Sequence, residues 1–183
     1  MSEEMIVRHC SPTLAGLKTA NTFACPYQDE HELMASLRQL NLSLGRKGLR
    51  AIPLRTDCNR ALVYLYHPKK LEADLSAPLS ESILNACGYK EGTASVRLSE
   101  LIKRLREHPD FPHEIGLFLG YPPEDVHCFM CDRNKDCKCV GCWRAYSNEQ
   151  QAQKTFARFK KCTDVYCRKF RQGRSLERLT VPV

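Results

Sequence analysis

Ala61-Leu62-Val63-Tyr64-Leu65-Tyr66 is an uninterrupted run of aliphatic and aromatic residues with no charged member on either alternate face. It reads as a strand buried on both sides. Upstream, Leu49 to Arg55 is a second extended run, and Thr56-Asp57-Cys58-Asn59 between the two reads as the turn of a hairpin. Pro53 cannot donate to a strand ladder, so the first arm is expected at a sheet edge.

Outside this hairpin the hydrophobic period shifts towards 3.6. Leu33, Leu37, Leu40 and Leu44 mark one face of a helix from Asp29 to about Leu44, stopped by Gly45 or Gly48. Downstream, helices are predicted over 69–75, over 79–86 with Gly88 as the stop, and over 96–107, where Leu98, Leu101, Ile102 and Leu105 face inward. His108-Pro109-Asp110-Phe111-Pro112 breaks the last of these. His113 to Tyr121 reads as a buried strand, Pro122 to Val126 starts a short helix, and Trp143 to Tyr146 makes a short strand. Ser147 with Gln150 is a capping box for a long helix to about Phe170, with Ala152, Phe156, Phe159, Thr163, Tyr166 and Phe170 as its apolar seam. At the N-terminus, Met5-Ile6-Val7 reads as a strand end, Ser11 as an N-cap and Pro12 as the first helical residue. That helix would carry Leu14, Leu17, Ala20 or Asn21, and Ala24, and end near Cys25-Pro26. The strands do not alternate with the helices, which points to an α+β fold: a small mixed or antiparallel sheet of about four strands with helices packed on it.

The 183 residues, 43% of them apolar, suit a single domain over 1–183 with a cysteine-rich insertion at 127–142 and a basic C-terminal helix at 147–171. The net charge is +7, and residues 144–183 hold ten Lys or Arg against three acidic residues, so the whole excess sits there. Met1-Ser2-Glu3-Glu4 leads into no apolar signal segment, and no window approaches the roughly eighteen apolar residues of a membrane span. A soluble, cytoplasmic protein without a membrane partner is expected. In that reducing compartment eleven cysteines point to metal binding or thiol chemistry rather than disulfides.

Three constellations carry candidate chemistry. Cys10, just before an expected helix N-terminus and beside Arg8 and His9, would be favoured as a thiolate by the unpaired N–H groups and the dipole. The alternative is a small apolar residue buried under a helix start. His113, at the mouth of an expected buried strand, would be its general base, with Asp125 or Glu114 as orienting carboxylate. The expected substrate is an unidentified small molecule or peptide with an acyl or peptide-like bond. Second, Cys128, Cys131, Cys139 and Cys142 form two C-x2-C pairs, the spacing that lets four thiolates reach one tetrahedral ion, with Cys137, Cys162 and Cys167 as substitutes and His127 alongside. Zinc is the default occupant, and an iron–sulfur cluster uses the same ligands. A closed four-protein-ligand site would be structural. Third, Lys154, Arg158, Lys161 and Arg168 flank the seam of the last helix, either as a solvated face or as a surface for nucleic acid or an acidic protein.

Cys10-Ser11-Pro12-Thr13-Leu14-Ala15 resembles the Cys-Gly-Pro-Thr helix starts of some papain-like peptidases and phytochelatin-synthase-type transpeptidases. His113 with Ile115-Gly116-Leu117-Phe118-Leu119-Gly120-Tyr121 resembles their histidine strand. That resemblance implies a papain-like arrangement and a thiol hydrolase or acyltransferase. Nearly end to end, the chain also resembles a family of short bacterial proteins, common in anaerobes, that is catalogued only as a domain of unknown function. The resemblance rests on Arg8 to Lys18, on Arg60-Ala61-Leu62-Val63-Tyr64, on His113 to Pro122 with Glu124-Asp125-Val126, and on Cys139-x-Gly141-x-Trp143 followed by Tyr146 and Lys161-Cys162. It implies that Cys10, His113, Cys139 and Cys162 belong to a shared pattern from which Cys128, Cys131 and Cys142 depart.

Overall fold

The apolar run from Ala61 to Tyr66 lies in the middle strand of a three-stranded antiparallel sheet, in a computed structural model that describes residues 1–57, 59–108 and 110–182. β1 (Ala20–Pro26) and β2 (Arg50–Asp57) flank β3 (Arg60–Tyr66), with Ala20 and Arg50 both opposite Tyr66. Ala61, Val63, Tyr64 and Leu65 are fully buried, as a central strand requires. Pro26 and Pro53 lie on the two edge strands, where a missing N–H leaves no ladder bond unmade, and the β2 register shifts by a bulge between Pro53 and Arg55. Cys58 of the hairpin turn, and Pro109 of the expected breaker, lie outside the described residues.

Among the described residues the fold is α+β, with nine helices, the three-stranded sheet and a two-stranded hairpin. It divides into two compact units, Met1–Lys69 with Lys161–Val183, and Lys70–Lys160. In the first unit, α1 (Glu3–Leu14) and α2 (Glu30–Gly45) pack on β1 and β2. Their core joins Ile6, Val7, Cys10 and Leu14 to Leu33, Leu37, Leu40 and Leu44, the expected α2 face, and to Val63 and Leu65 of the sheet. Leu176 and Leu179 of α9 (Leu176–Leu179) close it, and Val181 N–H donates to the Leu14 carbonyl.

The first twenty-six residues differ from the sequence expectation. Ser2, not Ser11, caps the first helix by accepting from Met5 N–H, and Glu3 and Glu4 suit its positive end. Met5-Ile6-Val7 is therefore helical, and Pro12 falls in the last turn rather than the first. Gly16, at φ +67°, ends the helix: its N–H bonds Thr13 O while Leu17 N–H bonds Pro12 O, satisfying two terminal carbonyls. Past that stop, residues 20–26 pair with β3, and ladder bonding overrides a spacing of apolar residues that imitates a helix.

The second unit contains α4 (Pro78–Ala86), α5 (Ala94–Glu107), α6 (Ile115–Phe118), α7 (Pro123–Cys131), β4 (Cys139–Val140) and β5 (Arg144–Ala145). It also takes most of α3 (Pro68–Leu75) and the first half of α8 (Glu149–Arg171). Arg97, 3% exposed, ties it together by donating to Leu75 O (2.5 Å) and Glu81 Oε1 (3.0 Å), while Glu72 Oε2 accepts from Ala94 N–H at the start of α5. The expected strand over 113–121 is instead the short helix α6, closed by Gly120 at φ +71° with Tyr121 N–H bonded to Gly116 O. A short apolar run suits a buried strand or a buried helix equally, and here local bonds decide. The long helix starts two residues late, with Asn148 Oδ1 rather than Ser147 accepting from Gln151 N–H, and Lys154, Arg158, Lys161 and Arg168 are exposed along it. No helix among the described residues is long and apolar enough to cross a membrane.

Candidate functional site

Pro122 and Pro123 start α7 and bring Asp125, 2% exposed, to its first turn. One carboxylate oxygen accepts from Tyr146 N–H and Ser147 N–H, and the other from the indole N–H of Trp143, all at 2.8 Å. Burial pushes this carboxyl up, but the backbone bonds from Tyr146 and Ser147 and the side-chain bonds from Trp143 and Ser147 outweigh it, so it sits below the usual carboxylate range. Asp125 is thus a charged pin that fixes the end of β5 and the Trp143 ring against α7. The β4–β5 turn is tight, with Gly141 N–H bonded to Trp143 O, and Gly141 lies so close to the Phe156 ring that a Cβ there would run into it. Trp143 meets Phe156 edge to face at 4.5 Å and tilts over Tyr121 at 5.2 Å.

Trp143 and Tyr121 help wall a cavity of about 230 Å³ that lies wholly within the second unit. Its lining includes Tyr121, Phe129 and Trp143, with His113, Asp125 and Arg144 as polar members. Gly116 forms part of the floor, where a Cβ would come within 2.8 Å of Val126 and 3.2 Å of Tyr121. Arg144 donates to Arg133 O at 3.0 Å and stands over the Phe129 ring at 5.8 Å. The half-buried His113 ring is edge-on to Phe129 at 5.1 Å and also lines a neighbouring polar groove with Arg104, Glu114 and Arg133. Desolvation, then Arg133, lower the His113 pKa below its ordinary value, against the pull of Glu114 and Asp110. Burial and the neighbouring Cys142 push the Tyr121 phenol up to about 12.

The two carboxylates expected to orient His113 have other partners. Asp125 serves Trp143, Tyr146 and Ser147, and Glu114 accepts from Tyr89 OH (3.0 Å) and pairs with Arg104 (3.6 Å). Cys10 belongs to the first unit and His113 to the second. Cys10 is 0% exposed in the middle of α1, packed among Ile6, Val7 and Leu14, and burial raises its thiol pKa strongly, with Lys18 offsetting only part. The helix terminus expected to activate it is absent, because Ser11 is interior and donates its hydroxyl to Val7 O. The strand expected to carry His113 is absent too, so neither local feature behind the papain-like resemblance is present.

Of the expected metal ligands, Cys128 is half-buried on α7, Cys131 exposed at its end, Cys139 half-buried on β4 and Cys142 exposed in the turn. Among the described residues no three His, Cys, Asp or Glu side chains are arranged to hold one ion. His127 and Cys131 do meet, with Nε2 3.7 Å from Sγ. Sequence reasoning misses Tyr121, Phe129, Trp143 and Arg144 as a cavity wall. The signal present is the chain's only tryptophan, inside a Cys139-x-Gly141-x-Trp143 match. The family described as "Protein of unknown function (DUF3793)" matches residues 6–180. No curated protein and no solved structure matches the chain.

Proposed function

The chain belongs to that family, DUF3793, whose description carries no activity, and we propose that it works as a small-molecule-binding protein through the cavity of the Lys70–Lys160 unit. The observation that carries this reading is the cavity wall, three aromatic rings with a guanidinium and an imidazole among them. Pockets for drug-sized ligands span about 300–1,000 Å³, so a space of about 230 Å³ suits a smaller molecule, about one ring system. The faces of Trp143 and Tyr121 take its flat apolar body, and Arg144 pairs with a carboxylate. His113, partly desolvated and neutral near pH 7, is the titratable ring available to share or accept a proton there. The Cys10 thiol has no part in this reading.

Trp143 is the only tryptophan, so its emission reports on the cavity directly. Titration with benzoate and phenylacetate is expected to give a saturable change, weakened about tenfold by Arg144→Met, the size of one lost charge-assisted bond, and similarly with neutral benzamide as ligand. No saturable change with either carboxylate, or equal binding by the Arg144→Met variant, overturns the proposal.

A further inference from the structure

Between the two units the charge is divided unequally. The first holds fifteen Lys or Arg against eight Asp or Glu and the second thirteen against thirteen, so by unit the whole net charge of +7 belongs to the first. Part of that excess gathers around the C-terminal end of α8. Arg168 and Arg171 lie in its last turn, Gly173 at φ +86° ends it with Arg174 N–H bonded to Lys169 O, and Arg174 and Arg178 follow on the turn and on α9. The seam of α8 here is Tyr166, Cys167 and Phe170, packed against the core of the unit, and helical geometry puts Lys161 and Arg168 on the far side, in solvent. From α1, Arg8 joins Arg171 in a groove of about 240 Å³ with Glu4, Val7, Cys167 and Phe170, two guanidiniums against one carboxylate.

Arg8, Lys161, Arg168, Arg171, Arg174 and Arg178 are all exposed, and among the described residues none of them makes an ion pair. A helix C-terminus favours cations in its last turn, which accounts for Arg168 and Arg171. It does not account for Arg8, Arg174 or Arg178, which belong to other elements.

We propose that this face of the first unit binds the phosphate backbone of a nucleic acid. Five of its six cations are arginines, whose planar fork pairs with phosphate through two bonds at once. A face for an acidic protein carries an apolar or aromatic anchor at its centre, and α1, α8 and α9 expose no large apolar side chain among the described residues. Contacts of this kind read phosphates rather than bases, so binding is indifferent to sequence. The surface lies wholly within the first unit and would stand if the aromatic cavity of the second bound nothing.

The test is fluorescence anisotropy, with the full chain titrated into a labelled RNA of about 20 nucleotides and a labelled DNA duplex of about 20 base pairs. Saturable binding of either probe at about 50 mM salt, with a Kd of about 1–100 μM, is expected. With about five phosphates neutralised, affinity should fall about twentyfold on each doubling of the salt concentration. The triple variant Arg168→Gln/Arg171→Gln/Arg174→Gln should reduce that fall to about fourfold. Lys90→Gln/Lys103→Gln/Lys135→Gln removes the same charge from exposed positions of the second unit and should bind like the parent. The proposal is overturned if neither probe binds, if the first-unit variant keeps the parent's salt dependence, or if the second-unit variant loses as much as the first. Displacement of the probe by polyglutamate as readily as by unlabelled nucleic acid also overturns it, and would assign the face to an acidic protein instead.

Discussion

Cys10 and Cys131 both belong to short helices, yet their surroundings are opposite. Cys10 is enclosed by Ile6, Val7 and Leu14 in the first unit, its thiol desolvated and held protonated. Cys131 is exposed at the end of α7 in the second unit, 3.7 Å from an imidazole. The first unit packs its sheet, α1, α2, α9 and the second half of α8 around one apolar core. The second orders its aromatic wall through hydrogen bonds to the Asp125 carboxylate, and ties α3, α4 and α5 together through Arg97 and Glu72. A cysteine's chemistry is set by this contrast, not by its place in a motif: burial that outweighs the Lys18 charge holds the Cys10 thiol protonated, whereas Cys131 stays open to solvent.

The largest test of the contrast removes the pin. Asp125→Ala strands two backbone N–H groups and the indole N–H, and is expected to cost about 3 kcal/mol of stability in urea unfolding. Trp143 emission should shift to the red as the ring loses its tether. Asp125→Asn keeps one acceptor oxygen and should lose about half as much. An unchanged urea midpoint for Asp125→Ala would mean that the second unit, like the first, is held by apolar packing alone. A smaller effect is expected at the cavity floor: Gly116→Ala brings a Cβ to 2.8 Å from Val126 and should cost about 2 kcal/mol through overpacking while weakening benzoate binding.

The same contrast explains what the sequence makes legible. The α2, α4, α5 and α8 helices follow from apolar residues at helical spacing, and the β2–β3 hairpin from a change of period with Pro53 on an edge. The two units' most chemistry-like stretches mislead, for a physical reason. Pro12 is as acceptable in a last turn capped by Gly16 as in a first turn, and Ile115 to Leu119 is apolar enough to be buried in any conformation. The spacing of apolar residues does not distinguish those cases, because pairing with β3 decides the first and the turn bonds closed by Gly120 decide the second. His113 is singled out in the sequence for the mouth of a strand that is in fact the short helix α6, and it lines the cavity for a different reason, its ring standing edge-on to Phe129. Its aromatic companions are not legible, because Tyr121, Phe129 and Trp143 converge only after α7 and the hairpin are pinned together.

Cys10 offers a smaller test from the other side of the comparison. Cys10→Ser places a hydroxyl in an apolar core and should cost about 1.5 kcal/mol, and Cys10→Ala somewhat less. In the native protein, iodoacetamide should modify Cys131 and Cys142 rapidly and Cys10 only on unfolding. Fast native labelling of Cys10 would break the comparison and restore that thiol as a candidate nucleophile.

The smallest expected effect is also the most specific to the cavity. His113 carries a pKa below the ordinary 6.5 because of desolvation and Arg133, against Glu114 and Asp110, with Arg144 on the same wall. A lowered pKa in the folded state means that protonation favours the unfolded chain, so its contribution to stability is full above about pH 6.5 and fades as pH falls through the folded-state value. An anionic ligand reverses the preference, since a bound carboxylate favours the imidazolium and raises that pKa. Benzoate affinity, read from Trp143 emission, should therefore rise as pH falls towards the lowered folded-state value while the urea midpoint declines, and the rise should be no steeper than about tenfold per pH unit, the limit for a single proton. In His113→Gln both slopes attributable to the imidazole should vanish. If affinity and stability instead fall together in the parent, the carboxylate does not meet His113, and Arg144 alone marks where the ligand's charge lies.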